Sequence, residues 1–198
     1  MHATSVHIKE SIVFSAIDLV HERGAYAVST KEIAKRLGVA ESTIFKHFPR
    51  KADLLRAVLE QFSLYDRDLF QTARSTRDPA AALHFYIETL LGNYESYPAL
   101  AALVPTYALF RSVPELADQA RAIELNRWAQ LHALVEAAQA VGFLLQSINP
   151  GHLTDALTSV VDGMCAKWHS AGCRFPLRTE TMAVVNLLVA AFSPANPA

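Results

Sequence analysis

Apolar residues recur with helical spacing along almost the whole chain, and no stretch shows the alternation typical of a half-buried strand. A chain patterned in this way buries its apolar residues by packing helix against helix. We therefore expect an all-α fold. Prolines divide the later part of the chain, because proline starts a helix readily but breaks its interior. Helices are predicted there at about residues 79–95, 98–111, 114–140, 150–171 and 177–192.

Four further helices are predicted in the first part of the chain. They cover Val6–Arg23, Ser29–Leu37, Glu41–Lys46 and a long segment that starts near Arg50. Ser29 and Glu32 have the spacing of a capping box, and Gly24 stands where a helix end needs left-handed backbone. A break near residues 74–79 interrupts the pattern. We predict an N-terminal domain over residues 1–56 and a helical C-terminal domain over residues 57–198, with the fourth helix linking the two.

Composition restricts the class of protein. Hydrophobic residues make up 52% and charged residues 19%, which is ample material for a packed core. The longest apolar runs fall short of the roughly 20 residues that span a bilayer, and the N-terminus lacks a secretory pattern. We expect a soluble cytoplasmic protein with no membrane partner. The two cysteines, Cys165 and Cys173, provide no disulfide framework.

Charge is distributed unevenly between the two predicted domains. Residues 1–56 carry nine Lys or Arg and six Asp or Glu, a net charge of +3. The remaining residues carry nine bases and thirteen acids, a net charge of −4. A basic N-terminal domain on an acidic body is typical of a nucleic-acid contact confined to that domain.

The order of helix, glycine turn and short helix is the plan of a helix-turn-helix motif. Ala34 must be small where two helices cross, Gly38 must allow the turn, and Val39 and Ile44 must fill the core. The outward residues of the short helix would face a DNA major groove, and they are Glu41, Ser42, Thr43, Lys46 and His47. The alternative is a three-helix packing unit that contacts no nucleic acid.

The run from Ile12 to Leu55 resembles the DNA-binding domain of TetR-type transcriptional repressors. The matching residues are Ala16, Glu22-Arg23-Gly24, Ser29-Thr30, Ile33-Ala34, Gly38-Val39, Thr43-Ile44-Phe45, His47-Phe48-Pro49 and Lys51-Ala52-Asp53-Leu54-Leu55. The resemblance implies that Thr43, Phe45, His47 and Lys51 contact phosphates or bases. We include Ser29 and Thr30, at the entry to the second helix, among the candidate DNA contacts.

Chemistry supports some of these assignments and weakens others. Lys51 lies in the first turn of the fourth helix, where free N–H groups already favour a phosphate. Ala40 stands where the family usually has Ser or Thr, so the short helix lacks a side-chain cap. Phe45 replaces the usual Tyr and lacks a hydroxyl for a phosphate. Glu41 places an acid near the phosphates, although it could instead accept a hydrogen bond from a cytosine amino group.

Aromatic residues in the C-terminal domain suggest a binding pocket. Tyr, Trp and His carry a polar tip that needs a partner when buried, and a cavity between helices supplies one. We predict a site for a hydrophobic or aromatic small molecule, formed by Phe85, Tyr94, Tyr107, Phe110, Trp128, His132 and Trp168. For each residue taken alone, a place in the core is the simpler interpretation. Arg111, Arg121 and Arg127 could recognise an acidic group, but exposed arginines are the preferred interpretation.

The last two predicted helices have apolar faces that suit a twofold dimer, as the resemblance also implies. The residues predicted at this interface are Leu157, Val160, Val161, Met164, Val185, Leu188 and Phe192. The alternative is that these faces close the core of one protomer. A dimer would place two short helices one turn of DNA apart, as reading a palindrome requires.

Cys165, His169 and Cys173 are spaced by four residues and would share one helical stripe. Thiol and imidazole groups in that arrangement could bind a soft metal or form a redox switch. A buried pair of cysteines in a helix interface is the commoner arrangement, and no fourth ligand has matching spacing. We expect no metal site and no cofactor.

These features together predict a homodimeric transcriptional repressor, released from a palindromic operator on double-stranded DNA by an apolar small molecule. Two alternatives remain: a regulator or activator that responds to no ligand, and a helical small-molecule carrier or enzyme. The enzyme interpretation has little support, because the sequence lacks a phosphate-binding glycine loop, a nucleophile elbow and paired catalytic carboxylates.

Overall fold

The computed structural model describes residues 2–23, 28–102, 110–111 and 113–194. These residues form nine helices and no strand, which confirms the all-α fold. The helices are α1 (His2–Arg23), α2 (Thr30–Leu37), α3 (Glu41–His47), α4 (Lys51–Arg74), α5 (Pro79–Ser96), α6 (Pro98–Ala101), α7 (Pro114–Ala140), α8 (Pro150–Ser170) and α9 (Leu177–Ala191). None of these described helices is both long and apolar enough to cross a membrane. The predicted helix end at Gly24 and residues 103–109 of the predicted 98–111 helix lie outside the described residues.

Prolines begin four of the later helices, as their positions in the sequence predict. Helices α5, α6, α7 and α8 each start at a proline, where the missing N–H group would have had no helical partner. Asp78 precedes α5, and its Oδ1 accepts a hydrogen bond from the N–H of Ala80 at 3.0 Å. Asn149 caps α8 in the same way through the N–H of His152 at 3.2 Å.

Helix α2 begins with one half of the predicted capping box. The Ser29 hydroxyl oxygen accepts from the N–H of Glu32 at 3.1 Å. The Glu32 carboxylate does not complete the box but lies 3.4 Å from the Arg23 guanidinium at the end of α1. The reciprocal bond is therefore replaced by an ion pair that ties α2 to α1.

The chain divides into two compact units, each of which has its own core. The first unit comprises Met1–Leu64 and Pro98–Ala122, and the second comprises Tyr65–Tyr97 and Ile123–Ala198. Because these units group residues by packing, each contains two separate segments of chain. The predicted domain boundary after residue 56 stays a prediction.

The core of the first unit is formed by the apolar faces of the first four helices. Its fully buried side chains include Ile12, Ala16, Ile17, Leu19, Ile33, Ile44, Val58 and Leu59. In the second unit α9 packs against both α5 and α8. The buried residues there include Leu83, Ile87, Leu91, Val135, Ala138, Leu157 and Val185. The helical spacing of these residues is the pattern that predicts an all-α fold.

Candidate functional site

The turn between α2 and α3 depends on one glycine. Gly38 has φ +66°, in the left-handed region, and the following N–H of Val39 returns to the carbonyl of Ala34 at 3.0 Å. A Cβ added at Gly38 would meet no atom within 4 Å. The requirement for glycine is therefore one of backbone conformation and not of space.

Helix α3 has one buried side and one open side. Ile44 is 0% exposed and anchors the helix to the core of the first unit. Glu41, Ser42, Phe45 and Lys46 are exposed, while Thr43 and His47 are half-buried. Ala40 precedes the helix and makes no side-chain capping bond, as the sequence indicates. Every residue of α3 that the sequence predicts to contact DNA therefore lies on the open side. Their contact with DNA stays a prediction.

A hydrogen bond joins the starts of α2 and α3. Thr30, the first residue of α2, donates from Oγ1 to Oε1 of Glu41, the first residue of α3, at 2.5 Å. Both residues were nominated separately from the sequence, which holds no signal that they touch. Ser29 is an exposed residue whose hydroxyl oxygen caps α2.

Asp53 accepts a hydrogen bond from a backbone N–H group at the start of α4, where the sequence predicts a phosphate contact. Asp53 accepts from the N–H of Arg50 at 3.2 Å and from the side chains of Arg50 and Arg56 at 2.8 and 3.0 Å. The hydrogen bond from Arg50 is the main cause that lowers the pKa of the Asp53 carboxyl. Lys51, the first residue of α4, has an exposed side chain. From the sequence, Asp53 is recognised only as a position that matches the family, although an acid in a first helical turn is a recognisable capping signal.

Arginines and lysines have different places in the first unit. Arg36 donates to the Glu22 carboxylate at 2.5 Å, which lowers the pKa of Glu22. Arg23 pairs with Glu32, and the backbone of Arg56 accepts from the Gln119 amide at 3.4 Å. The lysines with exposed side chains near α2, α3 and α4 are Lys31, Lys35, Lys46 and Lys51. Arg23, Arg36 and Arg50 are paired with acids, whereas these lysines form none of the salt bridges found among the described residues.

A buried ion pair lies within the second unit. Nε of Arg127 on α7 is 3.1 Å from Oδ2 of Asp66 on α4, and the two side chains are 14% and 3% exposed. The Arg127 guanidinium also donates from Nη2 to the hydroxyl of Tyr94 at 3.0 Å. This corrects the interpretation of Arg127 as an exposed arginine, whereas Arg111 and Arg121 are exposed as expected.

Burial raises the pKa of two acids near Arg127, which are Asp66 and Asp162. Loss of hydration raises the pKa of Asp66, and the charge of Arg127 opposes that rise. Burial likewise raises the pKa of Asp162 on α8, again against the effect of Arg127. A neighbouring buried pair, Tyr86 and Gln130, is joined by a long contact of 3.5 Å. The sequence holds a local signal for Asp66, which interrupts the buried stripe of Phe62, Leu69 and Ala73, but none for its partner Arg127.

The predicted ligand-binding residues occupy several different surroundings. Tyr94 lies in the buried cluster, and Trp168 is a core residue whose Nε1 donates to the carbonyl of Phe175 at 2.8 Å. Trp128 stacks on His132 with centroids 4.6 Å apart and donates to Asp155 at 2.7 Å. Phe85 is 37% exposed, Phe110 is buried in the first unit, and Tyr107 lies outside the described residues. The ligand site stays a prediction.

The predicted dimer residues differ in how much surface they can offer. Leu157, Val161 and Val185 are 0%, 5% and 0% exposed, so they belong to the core of their own protomer. Apolar spacing marks a buried face without saying what covers it, and the dimer interface stays a prediction. The half-buried members of the set are Val160, Met164, Leu188 and Phe192. Two exposed neighbours on α9, Val184 at 37% and Leu187 at 71%, were missed.

Cys165, His169 and Cys173 have different surroundings. Cys165 is fully buried, and burial raises its pKa to about 12, so its thiol stays protonated and unreactive. Sγ of Cys173 lies 4.0 Å from Nδ1 of His169. Across the part of the chain that the structure describes, no group of three or more His, Cys, Asp or Glu residues is placed to hold a metal ion.

Comparison with known proteins finds a family match in the region that contains α2 and α3. The model of a family described as bacterial regulatory proteins, tetR family, matches residues 12–58. The Nucleoid occlusion factor SlmA of Aliivibrio fischeri is 27% identical over 93 residues, which are 46% of this chain and 47% of that protein. The chain therefore spans about half the length of the curated relatives that it matches.

Solved structures resemble the fold over most of the chain. The fatty acid degradation regulator FadR from Bacillus halodurans matches with a TM-score of 0.78 at 21% identity, covering 91% of this chain and 94% of that one. The regulator FadR from Bacillus subtilis, solved with stearoyl-CoA, matches with a TM-score of 0.76 at 20% identity and covers 91% and 97%. At 20% to 21% identity, these matches show that the chain shares their helical fold. The resemblance to the tetR family is carried by residues 12–58, which include α2 and α3.

Replacement of Arg127 by Met should destabilise the protein, because the buried Asp66 carboxylate loses its partner. Without its cation that carboxylate is unpaired in the interior, and we expect the free energy of unfolding to fall by about 3–5 kcal/mol. Burial raises the pKa of Asp66 and Arg127 opposes that rise, so loss of Arg127 should raise the pKa further. The loss should be largest at neutral pH and shrink as the pH falls towards about 4, where the carboxyl is protonated.

Urea unfolding at several pH values measures this effect. Arg121→Met, which removes an exposed arginine from the same helix, is the matched control and should change little. The double variant Asp66→Leu with Arg127→Met should recover most of the lost stability. An Arg127→Met defect that is the same at all pH values would contradict the account given for Asp66.

Proposed function

We propose that the protein is a homodimeric, DNA-binding transcriptional regulator of the cytoplasm, which represses transcription from a palindromic operator and is released by an apolar small molecule. One observation carries this proposal: α3 is anchored through fully buried Ile44 and presents Ser42 and Lys46 on its open side. The left-handed turn at Gly38 directs that side away from the core. Exposed Lys51 at the start of α4 supplies a charge for the DNA backbone.

The apolar ligand is supported by the C-terminal helices and by one neighbour. FadR from Bacillus subtilis has a similar fold and is solved in complex with stearoyl-CoA, which carries a long acyl chain. In this chain Tyr94, Trp128 and His132 place aromatic rings with polar tips in the second unit. A ligand releases the protein from DNA if it binds better to a conformation whose two α3 helices are wrongly spaced. We propose that α4, which has residues in both units, transmits this change.

Binding to the DNA beside its own gene tests the proposed function. The purified protein should shift a labelled fragment of that DNA in the presence of excess unrelated DNA. Stearoyl-CoA serves as the apolar probe and free coenzyme A as its polar control. Loss of the shift with stearoyl-CoA alone supports release by an apolar ligand.

Other outcomes of the same experiment separate the alternatives. A specific shift that survives every apolar ligand tried would favour a regulator that responds to no ligand. Absence of any specific shift by an intact dimer would exclude the regulator and leave the helical carrier. Reporter expression that falls when the gene is deleted would indicate an activator in place of a repressor.

Dimerisation through α9 can be tested at its most exposed apolar residue. Leu187 is 71% exposed, so Leu187→Glu should leave the protomer folded but place a charge in the proposed interface. We expect light scattering to show a monomer. Its affinity for the palindrome should fall by about tenfold or more, because a monomer contacts only one half-site. Leu125→Glu is the matched control, because Leu125 is a 62% exposed leucine on α7. A Leu187→Glu protein that remains dimeric would place the interface elsewhere.

Lys51 is proposed to contact a phosphate and not a base. Lys51→Ala should therefore weaken binding by a similar factor on all DNA sequences and reduce the salt slope by about 1. Affinity is measured by fluorescence anisotropy from low to moderate salt. Arg77→Ala removes an exposed positive charge from the second unit and should leave the slope unchanged. An unaltered slope for Lys51→Ala would refute the phosphate contact.

A further inference from the structure

We propose that Thr30 and Glu41 act together to read a cytosine in the major groove, so that Glu41 determines sequence specificity. This inference rests on the proposed DNA-binding function. It joins two residues that the sequence suggests only as separate contacts. The observation behind it is the hydrogen bond from Thr30 Oγ1 to Glu41 Oε1 at 2.5 Å.

That hydrogen bond holds the carboxylate in one position. Thr30 is half-buried at the first residue of α2, and its β-branched side chain has few rotamers. A charge-assisted hydrogen bond from such a residue restricts the longer Glu41 side chain. The acid is therefore oriented before any partner binds, which reduces the entropy lost on recognition.

The other carboxylate oxygen is available to a partner. Glu41 is exposed, and within the described parts of the chain Oε2 has no hydrogen-bond donor. Glu41 is also the first residue of α3, and residues at the start of a recognition helix contact base edges in the major groove. The side chain thus offers an oriented acceptor where base edges would lie.

The chemistry of an acceptor selects cytosine among the four bases. A carboxylate repels phosphates and cannot pair with guanine, which presents only the acceptors N7 and O6 in the major groove. Adenine presents the N6 donor beside the N7 acceptor, and an amide suits that pair better than a carboxylate does. Cytosine presents its N4 amino group without a neighbouring N7 acceptor, and thymine presents an acceptor and a methyl group. Cytosine is the base that a carboxylate fits.

A purely structural role for Glu41 accounts less well for its surroundings. The other acids that brace the first unit, Glu22, Glu32 and Asp53, each meet an arginine that neutralises their charge. Glu41 meets a neutral hydroxyl, and no arginine pairs with it among the described residues on the side of α3 that carries Ser42 and Lys46. On a surface that approaches DNA, a carboxylate repels the phosphates and lowers the affinity for every sequence. A base amino group that donates a hydrogen bond to the carboxylate would offset this loss.

Selection of binding sites from random double-stranded DNA tests the inference with the full-length protein. The wild type should enrich a motif with a cytosine at one position of each half-site. Glu41→Gln should prefer adenine at that position, because glutamine pairs with N6 and N7, and the ratio of the two affinities should change by at least about fivefold. Glu60→Gln removes the same charge from an exposed position on α4 and should enrich the wild-type motif.

A second variant keeps the test decisive if Glu41→Gln folds poorly. Thr30→Val retains the shape of Thr30 but removes its donor, so the preference for cytosine should weaken without moving to another base. An unchanged motif in both folded variants would overturn the reading of cytosine by this pair while leaving the DNA-binding function intact. A wild type that enriches no motif would instead remove the proposed function, and this inference with it.

Discussion

The left-handed backbone of Gly38 sets the direction in which α3 leaves α2, and the open face of α3 follows from it. A residue with a Cβ would find space at this position but would strain the backbone. With the turn in place, Ile44 reaches the core and the starts of α2 and α3 come close enough for Thr30 to bond Glu41. The geometry of the candidate interface therefore depends on one dihedral angle more than on any contact.

Patterns that depend on neighbouring residues could be predicted from the sequence. Helical spacing predicts the fold class, and Pro79, Pro114 and Pro150 mark the starts of three helices correctly. The side of α3 that faces outward follows from the position of Ile44 in a short helix. Each of these features is decided within a few residues of chain, where propensity, capping and periodicity operate.

Features that depend on residues distant in the chain could not be predicted from one sequence. Asp66 and Arg127 are separated by 61 positions and meet through packing alone. Apolar spacing likewise could not distinguish a residue buried in its own protomer, such as Leu157, from an exposed one, such as Leu187. Both belong to helices with apolar faces, and the neighbour that covers a face is supplied by the tertiary structure.

The two tryptophans, Trp128 and Trp168, are the only ones in the chain, and both belong to the second unit. Intrinsic tryptophan emission therefore reports on the helical body and is silent about the helix-turn-helix. Trp168 is buried, whereas half-buried Trp128 is stacked on His132 and donates a hydrogen bond to Asp155. The emission of buried Trp168 therefore reports on the packing of α8. The emission of half-buried Trp128 reports on the surroundings of α7.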